Sequence, residues 1–558
     1  MEALRRALSD RCLTVSWLPG KGRGLVATRD FFPGDAIINE DAYASSPSKS
    51  STGSVCDGCF ASAKLKKCSG CRMVWYCGSA CQKSEWKLHQ LECRALAMLS
   101  DDRKKMLTPT IKLVVRLVLR RKLQNDWVIP TTETDNYDLV DALVSHMSSL
   151  EEKQLVLYAQ MANLVKVVLP FVEIDLKEMT EIFSKLSCNA HTICDSELRP
   201  LGTGLYPVIS IINHSCVPNS VLVFEGQNAF VRAVERIHKG EEVVISYIET
   251  AATSKTRQND LRQYFFTCSC LRCSQDLKED AILEGFKCVD YTCDGFLLPC
   301  VEKKTFTCHR CGTDWDEHKI KNLISELEQM CSKATASLSA GNPSETSLLY
   351  RNVEQLELKL YHCDSIKLLR TRETLLKIYM ELNDWRGALR YCKLTIPVYR
   401  RLYQSIHPML GLQHYTCGKL EWLLEETEDA LKSFTEAVDI LGITHGTSTP
   451  FIKELISRAD EARAEVAYKQ SNEDIFNLSP SAREIFISLP LRIRIRIRIR
   501  ILLGRFDWNS HFFWELLNGG SHWRIENAVA FVGSNGSGLG VNPTRHLTPR
   551  VVAPGPLV

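Results

Sequence analysis

Apolar positions along this chain change period several times, and each change marks a boundary. Over 1–48, short apolar runs are broken by turn residues, as in Lys21-Gly22-Arg23-Gly24-Leu25 and Phe31-Phe32-Pro33-Gly34-Asp35, which predicts a β-meander. A serine-rich linker over 45–54 is expected to end it. From Ala95 to about Lys185 apolar residues recur at helical spacing, including the basic run 111–123. Strands are predicted to return over 207–212, 220–224, 230–234 and 243–247, short β-branched or aromatic runs separated by turn signals. From Leu323 to about Tyr468 the period is helical again. There Asp384-Trp385-Arg386-Gly387-Ala388-Leu389 recurs as Glu426-Thr427-Glu428-Asp429-Ala430-Leu431, with the two alanines 42 residues apart. That spacing suits a tetratricopeptide-like repeat, in which small residues let paired helices approach closely. Beyond Lys469 no period is sustained: 491–503 alternates Arg and Ile, and the rest of 471–558 has the composition of a low-complexity or disordered tail.

A chain of 558 residues is too long for one hydrophobic core, so several domains are expected. Its formal net charge of +3 exerts no strong global pull toward nucleic acid or membrane. The stretch 155–172 is interrupted by Gln160, Asn163 and Lys166, which suits a core helix and not a membrane span. The first fifteen residues carry Arg5 and Arg6 but no apolar signal core, so export is not expected and the nucleus, the cytoplasm or both are the expected compartments.

The cysteines change this picture most, because most of the 23 fall in close groups. In a reducing compartment such groups are better read as zinc ligands than as disulfides. The first block runs Cys56, Cys59, Cys68, Cys71, Cys77, Cys81, His89, Cys93, eight soft ligands for two tetrahedral sites. An interleaved arrangement would join Cys56 and Cys59 to Cys77 and Cys81, and Cys68 and Cys71 to His89 and Cys93. A second set, Cys268, Cys270 and Cys273, lacks a fourth ligand nearby. A third, Cys288, Cys293, Cys308 and Cys311, has the form of a zinc ribbon with Gly295 and Gly312 at its knuckles. About four zinc ions are therefore expected: two in the first block and one in each of the others.

Three separated segments, Gly22-Arg23-Gly24, then Asn213-His214-Ser215-Cys216, then 240–247 ending in Tyr247, are followed by the triple Cys268, Cys270, Cys273. Together they resemble the SET-domain methyltransferase pattern. Because the first cysteine block interrupts it with MYND-finger spacing and a helical repeat follows, the chain resembles the SET and MYND domain family of protein lysine methyltransferases over roughly 1–470. The resemblance implies an α+β fold: a β-rich SET domain (1–48 and 181–250) holding a MYND finger (56–93) and a helical insert (94–180). A post-SET segment (251–275), a zinc ribbon (285–315) and a tetratricopeptide-like domain (320–470) would follow. It implies S-adenosylmethionine as methyl donor, with Lys21, Gly22, Arg23, Asn189, Ser210, Asn213, His214, Tyr247 and Phe266 at donor-contacting positions. It gives Tyr247 the catalytic role, with Tyr264 and His191 at the lysine channel, His191 standing where relatives often carry an aromatic such as Phe. It also implies Cys216 as the fourth post-SET ligand.

The expected activity is transfer of methyl to lysines of histone or non-histone proteins by a monomer that spans no membrane. The MYND finger is expected to take proline-rich peptides. Two other readings stay open at this level. One is a catalytically weak scaffold that recruits partners through the finger and helical repeat; the other is a nucleic-acid-binding zinc protein using the ribbon and the basic helix.

Overall fold

The computed structural model describes residues 2–275, 277–300 and 305–476. Residues up to Ala459 form one compact unit, and a second begins at Asp460, where only the end of the helix Pro450–Phe476 is described. The Arg/Ile run 491–503 and all of 477–558 lie outside the described residues.

The chain opens on a helix, Glu2–Ser9, where a β-meander was expected. Leu4 and Leu8 explain the difference: four residues apart, they share one helical face, and both are fully buried. The hairpin Leu13–Leu18/Gly22–Ala27 follows, turning at Gly20 and Gly22, whose positive φ values of 73° and 77° favour glycine. Strand Ala36–Asp41 pairs with Asn228–Ala233, which pairs in turn with Ser220–Glu225. A second three-stranded sheet joins Ala44–Pro47, Pro200–Leu205 and Ala190–Cys194. Part of the expected serine linker is thus a buried strand. Its backbone is laddered, and its polar atoms are bonded: the Ser45 hydroxyl lies 3.1 Å from Gln227 Oε1, and the Ser45 carbonyl accepts from Arg116.

Two predicted strands shorten or change. Of 243–247, Val244–Ile245 is strand, pairing in parallel with Asn213–His214. Of 207–212, Ile209–Ile211 is a single 3-10 turn despite its β-branched residues. The Ser210 amide and hydroxyl both donate to the Tyr206 carbonyl, at 2.8 and 2.7 Å, and this local closure overrides strand propensity.

The helical insert contains Pro109–Asn125, Glu152–Val168 and Leu176–Asn189. Four of the five cations in the basic run are engaged by carboxylates. Arg116 is buried between Glu92 and Asp57, Arg120 meets Asp135, Arg121 meets Glu178 and Lys122 meets Asp126. This removes the basic helix as support for a nucleic-acid reading. No described helix is long and apolar enough to cross a membrane.

After a small three-stranded ribbon, Leu297–Cys300, Thr305–Cys308 and Asp314–Asp316, the chain enters helix Glu317–Ala340 and five more that pack successively up to His445. The two sequence repeats open the helices Trp385–Leu402 and Thr427–His445, and Ala388 and Ala430 are both fully buried, as close helix packing requires. This layer touches the sheet-bearing half directly: the Tyr403 hydroxyl donates to Glu249 at 2.8 Å, and the Gln404 amide donates to Glu235 at 2.7 Å.

Candidate active site and metal clusters

In a tetrahedral zinc–thiolate site, sulfurs about 2.3 Å from the metal lie about 3.8 Å from one another. Four described groups have ligand atoms all within 4.8 Å of each other and four members of the right chemistry. They are Cys56, Cys59, Cys77, Cys81; then Cys68, Cys71, His89, Cys93; then Cys216, Cys268, Cys270, Cys273; and Cys288, Cys293, Cys308, Cys311. Sulfur separations of 3.7 Å for Cys59–Cys77, 3.8 Å for Cys68–Cys93, 3.6 Å for Cys216–Cys273 and 3.8 Å for Cys293–Cys308 fit that geometry. The residues therefore suit zinc at all four places, with interleaved pairing in the finger. Gly295 is needed in the ribbon, since a Cβ there would stand 2.4 Å from Cys308 Sγ.

The finger's second cluster has an ordered outer layer. His89 Nδ1 lies 2.7 Å from Glu92 Oε2, which fixes the ring with Nε2 toward Cys68 and Cys71. Burial opposes ionisation of Glu92, yet the Arg116 guanidinium brings it down to about 2. Arg116 also donates to Asp57, between Cys56 and Cys59, and to the Ser45 carbonyl. One guanidinium thus joins both finger loops to the strand Ala44–Pro47. Neither Arg116 nor Glu92 was singled out from sequence, because nothing in their spacing distinguishes them from other charges on amphipathic helices.

The three segments that carry the SET resemblance converge. Asn213 Nδ2 donates to the Arg23 carbonyl at 3.0 Å and to Glu242 Oε1 at 2.8 Å. Gly24 is what allows this approach, since a Cβ there would meet Asn213 Nδ2 at 2.8 Å and Leu18 Cδ1 at 2.6 Å. Lys21 is paired with Glu242 at 2.5 Å, and Arg23 donates to the Ala142 carbonyl at 2.6 Å. Open space surrounds Gly22 on its Cβ side. Glu242, unassigned from sequence, therefore ties two of the three segments together.

His214 is buried and pushed down to about 4 by burial, so its ring is neutral. Its Nδ1 accepts the Tyr247 amide at 3.0 Å, which leaves the hydrogen on Nε2, 3.3 Å from Cys216 Sγ. The Tyr247 hydroxyl donates to the Ile212 carbonyl at 2.5 Å, and burial keeps its pKa well above the usual phenol range. Around Tyr247 stand Tyr264, with ring centroids 4.9 Å apart, and Phe266, edge-on at 6.3 Å. Phe265 sits between them in the left-handed region at φ 59°, a strained backbone position for a bulky side chain, and stacks on His146 while its two neighbours face Tyr247.

Asn189 and Ser210 meet through the Ser210 hydroxyl, which lies 2.9 Å from the Asn189 carbonyl, while the Asn189 amide donates to the Val144 and Lys185 carbonyls. His191 reaches the same turn, with Nε2 3.3 Å from Ser210 Oγ and its ring edge on Tyr206; burial pushes it down to about 4. Arg257, which sequence reading passed over, is fully buried beside the post-SET cluster, with one nitrogen 3.9 Å from Cys273 Sγ.

Comparison with known proteins places this geometry. The SET domain family matches residues 22–248. The chain is 55% identical over 476 residues, 84% of this chain and 99% of the relative, to histone-lysine N-methyltransferase ASHR1 of Arabidopsis thaliana. It is 30% identical over 447 residues, 78% of this chain and 96% of the relative, to N-lysine methyltransferase SMYD2-A of Xenopus laevis. It is 28% identical over 440 residues, 78% and 95% of the two chains, to N-lysine methyltransferase SMYD2 of Mus musculus.

Proposed function

Because the chain belongs to the SET and MYND domain family of protein lysine methyltransferases, we propose that it moves methyl groups from S-adenosylmethionine to lysines of histone or non-histone proteins. It would act as a monomer in the nucleus, the cytosol or both. The donor supplies a methyl on a positively charged sulfur, and everything else asked of the site is binding, alignment and removal of water. The observation that carries the reading is that Asn213 packs on Gly24 and donates to the Arg23 carbonyl while Tyr247 bonds to the two residues flanking Asn213, Ile212 and His214, with the exposed face of Phe266 beside His214.

Each residue then has a task. The glycines leave main chain open to the methionine portion, and the Asn213-His214 backbone and Phe266 offer hydrogen bonds and a stacking face to the adenosine portion. With its hydrogen committed to the Ile212 carbonyl, Tyr247 turns an oxygen lone pair toward an incoming amine. Tyr264 walls the passage, and His191 and His214 are held neutral by burial. Among neutral aromatic groups a lysine ammonium is disfavoured, which promotes loss of the proton it must shed before attack. Protein lysines are the substrate class, and the finger, with Trp86 half-exposed and Lys67 over the Trp75 ring, is offered to proline-rich segments.

The test is transfer of labelled methyl to proteins of a cell extract, with the acceptor located by mass spectrometry. Wild type is expected to label lysine, and Tyr247→Phe to lower the rate on the order of 100-fold. A wild type that binds donor and labels nothing would favour the scaffold reading.

A further inference from the structure

The 3-10 turn Ile209–Ile211 is the hub of the site. On one side Ser210 ties it to Asn189, His191 and Tyr206; at its end the Ile212 carbonyl receives the Tyr247 hydroxyl. What holds its beginning is a carboxylate from a distant strand. Glu40, on Ala36–Asp41, is only 8% exposed, and its Oε1 accepts the Val208 amide at 3.0 Å while Oε2 accepts the Ile209 amide at 2.8 Å. The strand that carries it is itself fixed, Glu40 lying opposite Ala229 in the sheet.

A buried carboxylate bonded to amides and not to a cation is costly to keep, even with the charge of Arg11 acting on it, because it is withdrawn from water. Burial pushes Glu40 up to about 8 against the pull of its two amides and of Arg11. An apolar residue would fill the same place without that penalty, so the two amide bonds are what distinguish Glu here. They orient the first peptide groups of the turn, which no ladder hydrogen bond satisfies.

We propose that Glu40 is a positioning residue for methyl transfer, clamping the start of the Ile209–Ile211 turn so that the Ile212 carbonyl holds the Tyr247 hydroxyl in register with the amine. This rests on the methyltransferase reading above. A loosened turn would leave donor, substrate and Tyr247 present but misaligned, and an ångström of misplacement costs about 100-fold in rate.

The experiment compares wild type, Glu40→Gln and Glu40→Ala, matched for zinc content and thermal unfolding, by steady-state methyl transfer and by hydrogen exchange of the segment 206–212. Gln keeps one acceptor oxygen and nearly the same shape. The expected result is kcat lowered roughly 10-fold in Glu40→Gln and about 100-fold in Glu40→Ala, with KM for the acceptor lysine within about threefold, and faster exchange at Val208 and Ile209 in the same order. A kcat per folded molecule equal to wild type, or unchanged exchange of that segment, overturns the proposal. If wild type itself transfers no methyl, the functional reading fails, and the exchange data alone judge whether Glu40 clamps the turn.

Discussion

The finger and the cleft lie in one compact unit but are held by opposite electrostatics. In the finger, a buried guanidinium, two carboxylates and a ligand histidine are linked in series from Arg116 through Glu92 to His89, with Asp57 on a second branch. In the cleft, the groups packed against Tyr247 are neutral, namely the uncharged His214 ring, the Tyr264 phenol and the Ile212 carbonyl, and the Glu242 carboxylate that acts on Tyr247 is paired with Lys21. The difference follows from what each must do. The finger has little apolar core of its own, so metal and paired charge must fix it. The cleft must receive a cation and persuade it to lose a proton, so an unpaired negative charge beside Tyr247 would work against the reaction by stabilising the ammonium.

Breaking the charged region should produce the larger effect. Arg116→Met leaves Glu92 and Asp57 buried without their partner, and a loss of about 3–5 kcal/mol in unfolding free energy by denaturant titration is expected, with zinc lost from the finger. A variant as stable as wild type would mean that the finger is held by its metals alone.

The neutral region responds more gently, through pH. His191 in the folded chain sits at about 4, below the ordinary 6.5, so the unfolded chain takes up a proton first as the solution is acidified. Stability tied to neutral His191 is therefore full above pH 6.5 and drains away as pH falls toward 4. His191→Phe should remove on the order of 1 kcal/mol of that acid sensitivity near pH 5, measured as the difference between stability–pH curves. Identical curves would show that His191 is not held neutral.

The same contrast explains what could be read from the chain. The finger is written locally: Cys56 to Cys93 fall at ligand spacings, and folding brings them together in the interleaved pairing that was expected. The cleft is written in three dimensions. Gly24, Asn213 and Tyr247 could be grouped only through the family pattern, since none has a periodicity that points to the others. Glu40 had no signal at all, because a glutamate in a strand looks like a solvated one until the chain folds over it, and Glu242 lay within the 240–247 segment with nothing to set it apart from Glu241. The same holds for the turn at Ile209, where apolar β-branched residues predicted a strand and a serine hydroxyl decided otherwise. The N-terminal helix was missed for a related reason: its two leucines make only one helical repeat, too short to outweigh the turn signals that follow.

Donor binding measured by calorimetry on wild type and Gly24→Ala tests the central claim most directly, namely that the 22–24, 213–214 and 242–247 segments form one donor cleft. A methyl at position 24 would press on Asn213 Nδ2 at 2.8 Å and Leu18 Cδ1 at 2.6 Å, forcing the segments apart while the zinc clusters remain intact. With overpacking of about 1–3 kcal/mol, S-adenosylmethionine is expected to bind wild type and to bind Gly24→Ala about tenfold or more weakly at equal zinc content. Equal affinity in the two proteins, or no binding by wild type, would contradict the account.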